Sequence, residues 1–512
     1  MTRTRATTVC ALLLAIASAH LFGARAPRNV SASLRSEVAA VAIDFSHAGF
    51  GGGGVRVPDV SVVARVRPTG GDDTASLQAA LDRLSARRAA ADGFRGALLL
   101  TPGRFKVSGQ LRLNASGVVL RGSGTGRTTV VATGRGRRTL VEIGGDEEPT
   151  LDPPVAVTDE TVPAGGRTLT LERVDGLAAG ERVVVTRPST KEWIAALEMN
   201  KAEGSFADQR LHWTPGSCDL VWDRIVVSVD TSRRQVTLDA PITTALEKRY
   251  AGGTLSKVVA GVPARRVGLE DLTLESEFDP SNPHDEEHSW IAVALDNVED
   301  AWVRRVVARH FAGSAVRAGR RARRVTVEEC LGERPVSELG GYRRQTFFVE
   351  GQQVLVRACT SEEGLNDFAA GFAAAGPNVF LDCTAARAHG PSGTFESWAS
   401  GLLYERVRVE GAALRLTRDD VRAQGGGWTA ANSVVWNSEA TRIETRGHDD
   451  APVLVRTSPQ PLYETQLAAR CGASIAECGM RIADSRTANL KSEISDFKSG
   501  ISMTSPSAGS NT

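Results

Sequence analysis

The sequence predicts an all-β protein, a right-handed parallel β-helix built as a single-stranded solenoid, with an N-terminal helix cap and an inserted antiparallel β-rich subdomain. Three observations carry this. Residues 71–124 read as an amphipathic helix followed by short Val- and Leu-rich strands punctuated by Gly, Pro and Asn. Beyond 258, similar apolar strands return about every 20–30 residues, the range of a solenoid repeat. Cys330, Cys359 and Cys383 each end such a strand (VTVEEC, VLVRAC, VFLDC), at separations of 29 and 24 residues, as one stack of side chains inside the core would require. A chain of 512 residues is long for one ordinary core, but a solenoid grows along a single axis.

Taken in order, residues 1–26 look like a secretory signal peptide. Arg3 and Arg5 form the positive region, 9–19 are apolar, and Ala17-Ser18-Ala19 or Ala24-Arg25-Ala26 offer cleavage sites. The apolar run is shorter than a bilayer needs, so stable membrane insertion is not expected. Secretion, to the extracellular space or the periplasm, fits a protein that meets a large polymer. Residues 27–150 hold the cap and the first rungs. Asp72, Asp73 and Thr74 supply helix-start oxygens, and Leu77, Leu81 and Leu84 recur at helical spacing. Such a helix covers the open end of a solenoid, whose first strand edges are otherwise exposed. The four glycines ending at Gly54 read as a turn, and Gly122-Ser-Gly-Thr-Gly126 as a β-helix turn rather than a phosphate loop, since neither a helix nor a lysine follows.

Residues 151–250 form the insertion. TLTLERV, ERVVVTR, DRIVVSVD and QVTLDAP alternate apolar and polar residues, as half-buried antiparallel strands do. The main solenoid covers 251–455. Segment 456–490 contains LYETQLAARCG, a helix able to close the far end, and 491–512 is a Ser-rich polar tail of disordered composition. The three strand-end cysteines read as buried packing, with one disulfide among them or none; Cys471 and Cys478 are near enough for a local disulfide in an oxidising compartment. No CxxC pair or matching His spacing favours a metal.

Lys plus Arg is 61 and Asp plus Glu is 60, so the balance gives no sign of a nucleic-acid partner. Arginine far outnumbers lysine and supplies many bidentate binders of carboxylate or sulfate. The chemistry-bearing residues concentrate between 285 and 428, in the loops DEEHSW, ARHFAG, LGGYRRQTFF, SEEGLNDFAAG, AHGPSGTFESWASG and RDDVRAQGGGWTAAN.

The order of elements in 71–124, with the segment 44–54 before it, resembles the pectate-lyase-like superfamily. That resemblance covers nearly the whole mature chain and implies a parallel β-helix acting on polysaccharide. Lyases of that kind remove the proton α to a uronate carboxyl and eject the linked sugar oxygen. An arginine or a bound cation must neutralise the carboxylate, and a base must take the proton. Suitable residues are His310, Arg343, Arg344 and His389, with Arg309 and Tyr342 as substrate contacts. A glycoside hydrolase of the same fold is the alternative and needs two carboxylates facing one bond; Asp367 and Glu396 are the candidates. Trp290, Trp398 and Trp428 offer sugar-stacking surfaces in a chain with only 5% aromatic residues. A third reading is a non-catalytic glycan-binding or adhesion protein. The hydrolase run Asn-Thr-Asp and a Gly before His389 are missing, although Asp419-Asp420 and His389-Gly390 are present. The lyase pattern Arg-x-Pro-x-x-Arg is missing too, so no catalytic residue transfers. No cofactor is required by this reading; a divalent cation such as calcium is the one it accommodates, with His284, Asp285, Glu286, Glu287 and His288 the acidic loop able to hold it. The expected partner is a polysaccharide, and the expected state a monomer.

Overall fold

The computed structural model describes residues 38, 40–145, 147–200, 213–419 and 427–472. The expected signal peptide, Cys478, Asp420 and the Ser-rich tail lie outside those residues. The described chain winds through three parallel sheets, each strand hydrogen-bonding to its equivalent on the next coil. The first sheet runs from Gly96–Leu100 and Val118–Arg121 through Ala322–Glu328 and Leu355–Arg357 to Ser433–Trp436 and Val453–Arg456. The second includes Gly103–Val107, Leu331–Glu333, Thr360–Glu362 and Thr384–Ala386. The third includes Leu111–Leu113, Ile291–Leu295, Ser314–Ala318, Phe347–Val349, Phe368–Gly371 and Ser392–Phe395. Alternate side chains face inward, so Leu, Val, Ala and Phe from all three sheets fill one continuous core.

The corner between the first and second sheets is a single residue in the left-handed region: Asp271, Arg305, Glu329, Ala358, Asp382, Arg406 and Asn437 all have φ between 50° and 61°. None is glycine, and each conformation costs about 1–2 kcal/mol for an ordinary residue. The corner repeats because neighbouring coils hold it: Arg305 pairs with Asp271 at 2.5 Å and Arg406 with Asp382 at 2.6 Å. Just inside it stand Cys330, Cys359 and Cys383, buried, stacked and free, each thiol donating to a strand carbonyl of the preceding coil at 3.5–3.6 Å. Burial pushes the Cys383 thiol up to about 12. The thiol stack is present and none of the three is bonded in a disulfide.

Helix α1 (Thr74–Ser85) lies across the first coils and buries Leu77, Ala80, Leu81 and Leu84. Asp72 accepts from Thr74 N–H at 3.0 Å, while Asp73 reaches instead to Thr69 and Lys106. The insertion leaves the stack uninterrupted: Val119 pairs with Gly268 and Leu120 with Leu269 across it. Its antiparallel sheet, with the short helix α2 (Lys191–Ala196), docks on the solenoid's flank. Trp193, Trp213 and Trp222 of the insertion share a core with Trp398 and Trp428 of the solenoid. Beside them a buried ionic network crosses the junction, in which Arg323 faces Glu299 at 2.6 Å, Asp239 at 3.6 Å and Asp223 at 3.7 Å.

Helix α3 (Leu462–Cys471) packs laterally over the first sheet, against Leu355, Leu381, Leu403 and Trp436, and not across the far end as the sequence reading had it. The N-terminal glycine segment lies there too. Tyr463 donates to Ala48 O at 2.8 Å, and Arg470 to Ser46 O and Gly53 O at 2.8 and 3.0 Å. Gly53 has φ 84°, and a Cβ there would stand 2.0 Å from Ser46 O, so the strap is glycine-rich because its backbone folds on itself.

Under the strap, Glu270 is fully buried and accepts from Arg121, from Arg304 Nε at 2.5 Å and from Trp302 Nε1 at 2.9 Å. Removing its charge leaves two arginines facing one neutral amide. Glu270→Gln is expected to lower the unfolding free energy by about 3–5 kcal/mol in chemical denaturation; a loss below about 1 kcal/mol would contradict this account of the face.

Candidate functional site

Trp290, Arg309, His310, Tyr342, Arg343, Arg344, Asp367 and His389 gather at the corner between the second and third sheets, whereas Glu396 and Trp398 lie between Ser392–Phe395 of the third sheet and Ala399–Glu405 of the first, and Trp428 packs on the insertion. The turns of the shared corner, 277–290, 310–313, 334–346, 363–367 and 387–391, follow one another along the axis. Their backbones are laddered: Arg344 N–H donates to Ala312 O at 2.9 Å, Leu365 N–H to Arg344 O at 3.0 Å, and His389 N–H to Gly364 O at 2.8 Å. The loops therefore share one corner, but successive coils are about 4.8 Å apart. His310 and His389 are three coils apart, roughly 14 Å along the axis, so they do not act on one bond.

His310 takes the left-handed position that Arg334, Glu363 and Arg387 occupy on later coils, with φ of 68°, 50°, 61° and 52°. Its backbone conformation is thus a property of the corner, not of a special site. The ring packs edge-on against Phe278 at 5.0 Å, and burial holds the imidazole below its usual range, with Glu275 pulling the other way. His310 is accordingly neutral at neutral pH and able to accept a proton. His389 is exposed on the turn that precedes Pro391.

The arginines divide sharply. Arg309 pairs with Glu333, Arg387 with Glu362 at 2.7 Å, and Arg415 with Asp419 at 2.5 Å. Arg343 binds Glu286 through Nη2 at 2.9 Å and lies 5.6 Å from the centre of Trp290. Arg344 differs. It is 9% exposed, donates through Nε to Ser337 Oγ at 3.0 Å and through Nη2 to Ser337 O at 2.7 Å, and makes no ion pair among the described residues. Burial pulls its pKa down. It lines a narrow crevice of about 10 Å³ with Phe311, Gly313, Pro335, Thr346 and two carboxylates, Glu333 and Glu362, which are paired with Arg309 and Arg387; this is room for a single water or one ligand oxygen.

Tyr342 is half-exposed, leans on Phe372 and Phe395, and donates to Glu396 Oε1 at 2.6 Å. Burial raises the Glu396 carboxyl. Asp367 is fully buried within the corner, where it accepts from Ser361 and, at 3.4 Å, from Thr346; burial pushes it up to about 6. One carboxyl is inside the solenoid and the other outside, so Asp367 and Glu396 do not face one bond as a hydrolase pair.

Two of the three tryptophans are corrected. Trp398 and Trp428 are 1% and 7% exposed, and donate to Thr244 Oγ1 at 3.2 Å and Leu197 O at 3.1 Å of the insertion. They hold the insertion down and offer no ring face to a sugar. Trp290 remains half-buried, with Arg137 4.8 Å from its centre. The acidic loop is spent on structure: Asp285 accepts from Asp279 N–H and Glu287 N–H, Glu286 binds Arg343 and Arg137, and buried His288 faces Ser276 Oγ at 2.9 Å and Val336 O at 3.1 Å. Among the described residues no three His, Cys, Asp or Glu side chains are grouped to hold a metal ion.

Sequence reasoning missed a groove of about 170 Å³ beyond the Arg344 crevice, lined by Gln345, Leu365, Asn366, Ser392, Phe395 and Arg415 among others. Asn, Gln and Ser in loops carry no signal of their own; only the stacking of three turns brings them together.

No family model matches the chain, and no curated protein does. Among solved structures, the tailspike protein gp49 from Pseudomonas phage LKA1 overlaps 76% of this chain and 72% of its own, at 12% identity and a TM-score of 0.35. PfbA, a surface adhesin of Streptococcus pneumoniae, overlaps 77% and 76%, at 9% and 0.37. An alginate lyase from Paenibacillus sp. overlaps 77% and 99%, at 8% and 0.32. Superpositions this loose say nothing of a shared site.

Asp367 supplies a test of the corner. A carboxyl raised from 3.8 to about 6 on folding favours the folded state when protonated, and that advantage is lost as pH rises through about 4 to 6. The loss is about 3 kcal/mol. Asp367→Asn is expected to remove this decline and to be the more stable protein at pH 8; equal pH slopes in the two proteins would refute the assignment.

Proposed function

We propose that the protein cleaves an acidic, uronate-containing polysaccharide by β-elimination at the second corner, as a secreted enzyme. The observation that carries this reading is Arg344. Among the described residues Arg344 has no carboxylate within ion-pair distance, Glu363 and Glu338 acting on it only from further away, whereas every neighbouring arginine named above is closely paired; such a buried guanidinium is costly. Ser337 fixes its orientation, leaving its charge for an anion that arrives from solvent. A uronate carboxylate supplies that anion. Only one oxygen enters the crevice, and the sugar ring lies outside it, beside Pro335.

The chemistry follows from the charge. Removing the proton α to a carboxylate builds negative charge on the carboxyl oxygens, and a fixed arginine stabilises the transition state more than the ground state. His310, one coil before Arg344 and neutral through burial, is the base. Arg309 and Arg343, bound to Glu333 and Glu286, shape the surrounding field rather than bind directly. Tyr342 holds its loop against the third sheet.

The test is a panel of uronate and neutral polysaccharides given to the purified protein, following new reducing ends and the ultraviolet absorbance of unsaturated sugars. We expect both signals to rise on a uronan. Arg344→Gln and His310→Gln should each lose at least about 100-fold in turnover, while Arg344→Gln, relieved of a buried charge, unfolds about 1–2 kcal/mol later than the wild type. Because burial lowers the His310 pKa, the acid limb of activity should fall below the ordinary imidazole range. Reducing ends without absorbance would refute elimination, and unchanged turnover in both variants would refute the site.

A further inference from the structure

We infer that the groove beside the Arg344 crevice binds a neutral sugar unit, so that the substrate intersperses uronates with neutral sugars. This rests on the reading of Arg344 given above and adds the chemistry of the neighbouring subsite. The two places lie on the same turn, since Arg344 lines the crevice and Gln345, the next residue, lines the groove.

Among the described residues the groove has one charged pair in its lining, Arg415 with Asp419 at 2.5 Å. A second carboxylate would have to break that pair to find a cation. The remaining polar lining is amide and hydroxyl: Gln345, Asn366, Ser392 and Thr394. Two of these are incomplete. Ser392 is 0% exposed, and among the described residues its Oγ has no hydrogen-bond partner, nor does the buried Asn366 Oδ1. Buried polar atoms are almost always paired, and an unpaired one costs about 1–3 kcal/mol. Two on adjacent turns lining one groove mark a place where hydrogen-bond partners arrive from outside. Asn366 Oδ1 accepts only, and Ser392 Oγ can accept and donate, so sugar hydroxyls satisfy both. Leu365 is the apolar side chain the groove exposes, since Phe395 is buried against Tyr342, Phe348 and Phe372. A paired charge and unpaired acceptors describe a neutral sugar better than a uronate.

Two measurements on the full chain test this. Ligand-detected NMR with cello-, malto- and galacto-trioses reads the groove without turnover. Relative cleavage of homopolymeric uronans (polygalacturonate, alginate) and of polymers alternating uronate with neutral hexose reads it during turnover. We expect one neutral triose to bind, its signal to fall at least fivefold in Ser392→Ala and Asn366→Ala, and Arg344→Gln to leave it unchanged. Alternating polymers should be cut at least tenfold faster than homouronans. Ser392→Ala removes an unpaired atom, so its melting temperature should not fall, which separates lost binding from lost folding; Gln345→Ala serves if Asn366→Ala unfolds. The inference is overturned if none of the trioses binds, if ordered water alone fills the groove in a crystal soaked with the bound triose, or if homouronans are cut as fast as alternating polymers. That last result leaves the elimination reading intact. Triose binding without cleavage of any uronate polymer would instead remove the elimination reading and leave the groove.

Discussion

In-register parallel stacking is the constraint on which everything else rests. Each position in a coil meets its equivalent about 4.8 Å above and below. Apolar positions gain from this, since like packs on like along one continuous core. Charged positions do not, because like charges in register repel. The first sheet answers by alternation: Arg121, Glu270, Arg304, Glu328 and Arg357 occupy one row on five successive coils. Pairs along it close at 2.5 Å, as Arg304 with Glu270 and Arg357 with Glu328. The second sheet repeats the device with Glu275, Arg309 and Glu333 in one row, and Arg104 reaches Glu275 from out of register.

This rule gives Arg344 its meaning. An arginine-rich solenoid spends its arginines on ladders, so their abundance says little about ligands. The informative residue is the one outside the ladder, buried and held by a serine. The insertion obeys the same economy of charge, with Asp223 and Asp239 completing the rows that end at Arg323 and Arg324. Its aromatic contacts explain why tryptophans cluster in the late loops: they serve a junction between two parts of one chain.

The solenoid was legible because its signal is periodic. Strand spacing, the three cysteines and the helix at 74–85 are local or repeated features, and repetition survives ignorance of the exact corner residues. The corner itself was not legible, since Asp, Arg, Glu, Ala and Asn all take the left-handed position and no single residue type announces it. The clustering of His310, Arg344 and their neighbours on one corner followed from the repeat; their partners did not. Whether an arginine is paired depends on a residue some 24 to 57 positions away, as with Arg309 and Glu333 or Arg343 and Glu286. Trp398 and Trp428 misled for the same reason, because the surface they cover belongs to segments 154 and 231 residues earlier.

The central claim is that Arg344 waits for an anion. Isothermal titration of the purified protein with a uronate oligosaccharide, at two salt concentrations, measures this directly. The account predicts binding that weakens as salt rises and disappears in Arg344→Gln, with Arg343→Gln retaining it. Equal affinity in wild type and Arg344→Gln would contradict the account, as would affinity indifferent to the charge of the sugar.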